Sequence, residues 1–410
     1  MPPSHLQSPV VDIPPSDHCV RVRAVNTTTR MVCDAEPFVQ PVIRNHTKLN
    51  FPTLCFLLER QTTNGIRYIL YDLGSRKDFW NGSPTSKSMI GKHVSGLVVE
   101  KGVEEVLLEN GVNLDHIDAI VWSHWHWDHI GDASKFPDSV DLVVGPGFRE
   151  SFLPGWPENP ESPLLTKDLA EHKIHEPEYP LRLGGFRAHD YFGDGSFYIL
   201  DVPGHAIGHI CGLARTTPTT FVFLGGDCCH FAGALRPSPI YPLPETLSDN
   251  NYNAIFPLSC PCSLFANIHP IAKDAEAARS QPFYEISRAV GSAYTFGDDA
   301  QRSINKLQPF DSDPNIFILL AHDTVLFDVL PLFNEYPGLH INDWQQKGYK
   351  DQSHWGFLNE LPRDNRPGKE PLVSGLRRNG TFLVYGNDGE FYKQSHWKSI
   401  SLAASTWRTP

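Results

Sequence analysis

Apolar positions along this chain fall mostly in short runs bounded by turn residues, not at helical spacing. VRVRAV (20–25), TLCFLLE (53–59) and RYILYDLG (67–74) are rich in β-branched and aromatic residues and predict strands, the last closed by a turn at Asp72 and Gly74. The second half of VSGLVVEKGVEEVLLENGV (94–112) reads differently: Val103, Val106 and Leu107 share one helical face, and Gly111 is a stop signal. IDAIVWS (117–123) is a nearly all-apolar strand. The order recurs downstream. FRAHDYFGDGSFYILDVPGH (186–205) predicts a turn around 193–195, a strand, and a loop carrying His205. TTFVFLGGDCCH (219–230) predicts a strand ending in Asp227, and NIFILLAHD (315–323) one ending in His322. Four apolar strands therefore each deliver His or Asp at their C-terminal end, which is how sheets with helical connections build sites on one rim.

Around this framework, residues 1–18 are Pro- and Ser-rich and are expected to form a flexible N-terminal segment. The main domain is expected over 19–335. Within it, 231–300 reads as an insertion near the site or a lid, with Pro-rich runs (LRPSPIYPLPE, CPCSLF) and an amphipathic helical candidate, DAEAARSQPFYEISRAVG, interrupted by Pro282. Residues 336–410 form a C-terminal extension whose Trp344, Trp355, Trp397 and Trp407 predict that it packs on the core. There is no short-period internal repeat.

Composition narrows the classes of function. The chain has 410 residues, 40% hydrophobic and 20% charged, an ordinary profile for a soluble globular protein. A formal net charge of -12 argues against a broad phosphate-binding surface, so neither nucleic acid nor an anionic membrane is the expected partner. No apolar run approaches the roughly 20 residues needed to span a bilayer, and the N-terminus shows no secretory pattern. Eight cysteines without such a signal read as reduced thiols, so an intracellular, cytoplasmic location is expected. Cys228 and Cys229 read as small apolar residues packed after a strand, and the Cys260-Pro-Cys262 stretch as a loop.

The densest chemistry is SHWHWDHIGD (123–132). In extended backbone, His124 and His126 point to one face, and Asp128 and His129 reach the same space from the loop that follows. Trp125 and Trp127 would then point away and anchor the rim. Neutral imidazole and carboxylate are the donor set suited to zinc. The alternative, a polar loop that happens to be rich in His, does not account for His205, Asp227 and His322 at successive strand ends. Six or seven donors are too many for one tetrahedral ion, which favours two.

The ordered set His124-x-His126-x-Asp128-His129, His205 in VPGHAIGH, Asp227 in LGGDCCH and His322 in LLAHD resembles the metallo-β-lactamase-fold hydrolases over about residues 19–335. That resemblance implies an α+β fold, a four-layer αββα sandwich with a dinuclear site on one edge. It implies one metal held by His124, His126 and His205, and a second held by Asp128, His129 and His322, with Asp227 bridging. Asp72 would be the carboxylate behind the ligands that orients them. The implied cofactors are two Zn2+ per chain, with iron or manganese as substitutes. A hydroxide shared by the metals would attack a carbonyl, with Asp128 or Asp227 returning a proton to the leaving group. His230 stands where lactonase-like members often carry a tyrosine that bonds the substrate carbonyl, which leaves it open between a donor and a wall residue. His209 is assigned a supporting or structural duty.

Among family activities, His126 stands where the diiron oxidoreductases place a glutamate, which argues against redox chemistry. The nuclease branch would bring a further domain and a basic face. The layout looks most like the lactonase-type branch, with the insertion and tail similar to fungal members acting on lactones, lactams or polyketide esters. The expectation is hydrolysis of a cyclic ester or amide of a small molecule, in a pocket walled by 231–300 with Trp156, Tyr241, Phe256 and Phe283. A thioesterase acting on acyl or polyketide thioesters is the second expectation, and a non-catalytic metal-binding scaffold the third.

Overall fold

The two longest strands lack the alternation of a sheet with one wet face. β1 (Arg21–Asp34) and β2 (Lys48–Thr62) are buried on both sides over most of their length, so each must lie between two other layers. The computed structural model describes residues 10–169, 171–247, 260–261, 263–270, 272–362 and 366–394. Among these, β1 and β2 pair antiparallel at the centre of a ten-stranded sheet. On one side follow β3 (Gly65–Tyr71), β5 (Ile117–Val121) and β6 (Asp141–Val143), the last three mutually parallel. On the other side lies β4 (Val94–Val99). A six-stranded sheet faces it, with β7 (Phe186–Asp190), β8 (Phe197–Asp201), β9 (Ile210–Thr217) and β10 (Thr220–Leu224) antiparallel, then β11 (Ile316–Leu319) parallel to β10.

Between the sheets, Leu54, Phe56, Leu58, Ile69 and Val121 from the first meet Phe197, Ile199, Val222, Leu224 and Phe317 from the second. The alternate positions face outward. Cys55, Leu57, Leu70 and Ile120 pack under α1 (Val103–Glu109), through Val103, Val106 and Leu107. Leu213, Phe223, Ile316 and Ile318 pack under α2 (Gly297–Ser312), through Ile304, Leu307 and Phe310. Helix, sheet, sheet, helix is the expected four-layer order. Each fully buried side chain of this kind contributes about 1.5–3 kcal/mol, so the apolar layers outweigh the surface ion pairs.

Three expectations change. Over 274–291 the helical candidate shrinks to Ala275–Ser280, and Glu285–Ile286 are extended, pairing with Val39–Gln40. The long helix begins only at Gly297, where the insertion was expected to end. Residues 10–18 are tied down rather than loose. The Val11 N–H donates to Asp313 Oδ2 (3.1 Å), Ser16 Oγ donates to the Asp194 carbonyl (2.5 Å), and Arg215 donates to the Pro14 carbonyl (2.5 Å). The tail adds strands instead of merely packing. Gly375–Arg378 pairs parallel with β4, and Thr381–Tyr385 and Phe391–Lys393 extend the same edge. Trp344 is buried against Phe317 and Trp355 is also buried, while Trp397 and Trp407 lie outside the described residues. Cys19, Cys33, Cys55, Cys211, Cys228 and Cys229 are free thiols. No helix among the described residues is long and apolar enough to cross a membrane.

One buried ion pair ties the second sheet's connections together. Arg236 meets Asp311 of α2 through two nitrogens (2.7 and 3.0 Å) and donates to the His354 carbonyl (3.0 Å). Burial alone would raise the Asp311 carboxyl, but Arg236 outweighs it and holds it at about 2. Asp311→Ala leaves a guanidinium buried without its partner, and should destabilise the protein by about 3–5 kcal/mol. Urea unfolding measures this, and a loss below about 1 kcal/mol would show that the pair does not brace the fold.

Candidate metal centre

The strands that end on one rim bring the sequence-selected residues to one point. Asp72 follows β3, residues 123–129 follow β5, His205 follows β8, Asp227 follows β10 and His322 follows β11. Their ligand-capable atoms form two groups, each within 4.8 Å. One is His124, His126, His205 and Asp227. The other is Asp128, His129, Asp227 and His322. Asp227 belongs to both, one oxygen to each. Its Oδ2 lies 3.6 Å from His124 Nε2 and 3.4 Å from His205 Nε2. Its Oδ1 lies 3.0 Å from His129 Nε2 and 3.1 Å from His322 Nε2.

Hydrogen bonds behind the rings fix which nitrogen faces inward. Asp72, held at a left-handed φ of 63°, accepts from the Ser123 N–H (2.6 Å), the Ser123 hydroxyl (2.8 Å) and His129 Nδ1 (2.8 Å). With its own proton given to Asp72, the Ser123 oxygen accepts from His124 Nδ1 (3.0 Å). His322 Nδ1 donates to the Pro52 carbonyl (3.1 Å). In these three rings an acceptor behind Nδ1 leaves Nε2 with a free lone pair toward the centre, the arrangement that a metal-binding imidazole requires, while His126 turns its Nδ1 inward. A left-handed φ is costly for a non-glycine residue and persists where its surroundings over-determine it. Asp72 supplies three such reasons.

The donor set fits a cation. His129 Nε2, His322 Nε2 and Asp227 Oδ1 are buried with no hydrogen-bond partner, although they lie about 3 Å apart. His205 Nε2 likewise points at His124 Nε2 (3.1 Å) and His126 Nδ1 (2.8 Å), nitrogen against nitrogen. Buried polar atoms that converge without completing hydrogen bonds are expensive unless an ion takes their lone pairs. Electrostatics agree. Burial, reinforced by neighbouring imidazoles, holds His124 and His205 well below the usual histidine range, and burial takes His126 down to about 3. Burial opposes charge on His129 too, but Asp227 and Asp72 outweigh it and raise its pKa well above the usual range. Asp227 is held well below the carboxylate range, because His129, His322 and His230 overcome its burial. The pocket's negative centre seeks positive charge where the two groups meet.

Three backbone features support the cluster. His209 Nδ1 donates to the Val202 carbonyl (3.0 Å), and its Nε2 accepts from the Asp227 N–H (3.1 Å), so it orients the shared carboxylate from behind. Gly226 lies so close to Ser123 that an added Cβ would sit 2.8 Å from the Ser123 Cβ. Gly204, at φ +129°, lets the His205 loop touch the first turn of α2, where an added Cβ would meet the Ala300 nitrogen at 2.1 Å.

His230 points its Nε2 at Asp227 Oδ2 (3.0 Å) and its Nδ1 at the Tyr294 hydroxyl (2.7 Å). Phe38 and Phe51 pack against its ring, with centroids 4.7 and 5.7 Å away, and Phe51 also covers His322. The expected aromatic walls lie elsewhere. Tyr241 stacks on His354, Phe283 is buried against His269 and Phe357, and Trp156 sits half out of the surface beside Leu165. Phe256 lies outside the described residues. Trp125 packs on Phe152, and Trp127 joins the core cluster that also holds Phe79 and Ile90. Cys228 and Cys229 are buried, as read from the sequence. Ser123, Phe38, Phe51 and Tyr294 were not singled out there. Ser123 alone had a signal, sitting next to His124 at a strand end.

Comparison with known proteins agrees with this geometry. The sequence model of the metallo-β-lactamase superfamily matches residues 51–221, which include Asp72, the 124–129 cluster and His205. The chain is 38% identical over 388 residues to Gamma-lactamase FDB1 of Fusarium pseudograminearum, covering 92% of this chain and 89% of that protein. It is 37% identical over 377 residues to Metallo-hydrolase mfmC of Annulohypoxylon moriforme, covering 88% and 94% respectively. It is 41% identical over 245 residues to Gamma-lactamase MBL2 of Gibberella moniliformis, covering 58% of this chain and the whole of that protein.

Chelation tests the centre directly. Stripping divalent metal should lower the unfolding temperature, and added zinc should restore it, since a ligand at 100 times its Kd stabilises by about 2.7 kcal/mol. Elemental analysis of the purified protein should find about two ions per chain, and His322→Ala fewer. An unfolding temperature indifferent to chelator, with no bound metal, would reject the site.

Proposed function

The chain belongs to the metallo-β-lactamase superfamily, and from that premise we propose that it is a metal-dependent hydrolase opening the lactone or lactam ring of a small organic molecule. The observation that carries the reading is the shared Asp227 carboxylate, one oxygen toward each group of donors, beneath His230 and the Phe38 and Phe51 rings. The relatives named gamma-lactamase support a cyclic amide, and a cyclic ester offers the same carbonyl to the same groups.

Two divalent cations in this site, zinc or in its place iron or manganese, would supply an acidified water and a Lewis acid for the carbonyl. His124, His126 and His205 would hold one, and Asp128, His129 and His322 the other, with Asp227 between them. The chain's own residues do the rest. Asp72 and Ser123 keep the His129 and His124 lone pairs aimed inward. Phe38 and Phe51 keep bulk water off one side and give the organic part of the substrate an apolar surface. His230 Nε2 presents a hydrogen to an oxygen that gains negative charge in the reaction, a placement that strengthens in the transition state.

Between the two carboxylates, Asp128 is the better proton carrier. Asp227 is surrounded by the nitrogens of five histidines, whereas Asp128 faces only His129 (3.8 Å) and His322 (3.6 Å). Asp128 and His126 are also the most accessible members of the cluster, so substrate approaches from their side. Asp128 takes the proton that the attacking water loses and, as the ring C–O or C–N bond breaks, hands it to the leaving oxygen or nitrogen. The water oxygen stays on the acyl carbon, and the product is a hydroxy acid or amino acid.

A panel of γ- and δ-lactones, the matching lactams and acyl thioesters separates this reading from thioester cleavage. Lactones or lactams should be the faster substrates. His124→Ala and Asp227→Ala should each lower kcat/KM by at least about a thousandfold, or roughly 4 kcal/mol of transition-state stabilisation. Unchanged turnover in either variant, or turnover confined to thioesters, would overturn it.

A further inference from the structure

Beyond the donor cluster, one buried pair joins the insertion to the reacting side of the site. We propose that Tyr294 is a positioning residue, whose phenol donates to His230 Nδ1 and so fixes the imidazole with its Nε2–H aimed at the substrate oxygen. The proposal rests on the hydrolase reading above.

The hydrogen-bond inventory sets the direction. His129 and His322 give their ring hydrogens to acceptors behind Nδ1, whereas His230 Nδ1 faces a phenol that can donate, so the 3.0 Å approach of its Nε2 to the acceptor oxygen Asp227 Oδ2 places the hydrogen on Nε2. A neutral ring then has a bare Nδ1, and the only hydrogen that fits the 2.7 Å gap to Tyr294 is the phenol's own. With Tyr294 absent, Nδ1 loses its bond and the tautomer rests on the Asp227 contact alone. The other tautomer would turn a lone pair toward an anionic carboxylate and an oxygen gaining charge, where it repels both.

The tyrosine is held on two sides by main-chain bonds. Thr295 and Phe296 donate to the carbonyls of His205 and Gly204, both at 2.8 Å, which ties it to the loop of a ligand histidine. Ala293 donates to the Pro37 carbonyl (2.9 Å) and Ser287 to the Phe38 carbonyl (3.3 Å), which ties it to the segment that covers His230. The ring it positions is itself boxed. His322 stacks on it at 5.9 Å and 12°, and His205 meets it edge-on at 4.6 Å. An imidazole reaches the centre with less length than a phenol at the same position. The Tyr294 hydroxyl behind it supplies the tautomer control that a phenol would not need.

Zinc-loaded protein labelled with 15N-histidine reads the tautomer directly, His230 being assigned by its loss in His230→Phe. The expected spectrum has a protonated Nε2 and a bare, hydrogen-bonded Nδ1. Tyr294→Phe should move Nδ1 to the position of a nitrogen without a hydrogen bond. On the best lactone or lactam it should lower kcat about tenfold, leaving KM within about twofold and zinc content unchanged. In a His230→Phe background the same substitution should change kcat by less than about twofold, because the two residues act as one unit. A wild-type spectrum with the hydrogen on Nδ1 overturns the proposal even if Tyr294→Phe fails to fold. Equal losses in both backgrounds overturn it as well. If wild-type protein opens no lactone or lactam, the hydrolase reading fails, while the nitrogen spectra still decide the pair.

Discussion

Everything in this molecule is arranged around lone pairs that face one another inside a dry rim. Five imidazole nitrogens and the oxygens of Asp128 and Asp227 converge there, a state that is unfavourable in the absence of positive charge. Three of the rings, His129, His124 and His322, are kept from rotating by the acceptor behind Nδ1: Asp72, Ser123 and the Pro52 carbonyl. Asp72 matters most, since a single carboxylate in a left-handed turn orders two ligand histidines, one through Ser123. The free energy stored in that unfavourable convergence is recovered as affinity for cations. The donor cluster is therefore preorganised by groups that lie outside it.

The sandwich explains why such a convergence is possible. β3 and β5 run parallel in one sheet, β10 and β11 run parallel in the other, and all four end on the same rim. Donors from residues far apart in sequence reach one point because each sits one step past a buried strand, on a turn that the sheet holds rigid. The outer layers matter as well. Gly204 lets the His205 loop rest on the start of α2, and Arg236 pins the end of that helix to the tail through Asp311. The helix thus couples the position of one ligand loop to the packing of residues more than a hundred positions later.

That architecture decides what was legible in the chain alone. The donors could be read because they come in order, at the ends of apolar runs whose length and composition announce strands. Asp72 was readable for the same reason. α2 was less so: Ala300, Ile304, Leu307 and Phe310 do recur at helical spacing, but they are few among polar residues and Pro309 interrupts the pattern. The apolar-rich 274–291 stretch looked more helical, yet its second half is drawn into extended backbone by pairing with Val39–Gln40, a tertiary contact with no local signature. The edge strands 375–393 escaped notice because an edge needs no strong pattern. The aromatic wall was misplaced for a related reason: Phe38 and Phe51 reach the site by the fold of the first sheet, not by sequence neighbourhood.

The contact between 35–47 and 281–296 therefore has two functions that cannot be separated. It lays Phe38 over the site, which shapes what substrate fits, and through Ala293 and Thr295 it holds Tyr294 against His230, which shapes how the oxygen is met. A change in this clasp that widens the pocket also loosens the phenol. Selection for a bulkier ring would act on catalytic geometry at the same time as on fit, and compensation would have to come from the His205 loop, the second anchor of the same tyrosine. The donor cluster, by contrast, is braced from Asp72, Ser123 and Pro52 on the first sheet. On the proposed reading, metal retention and substrate preference would be carried by different parts of the fold, so the second could drift while the first is held.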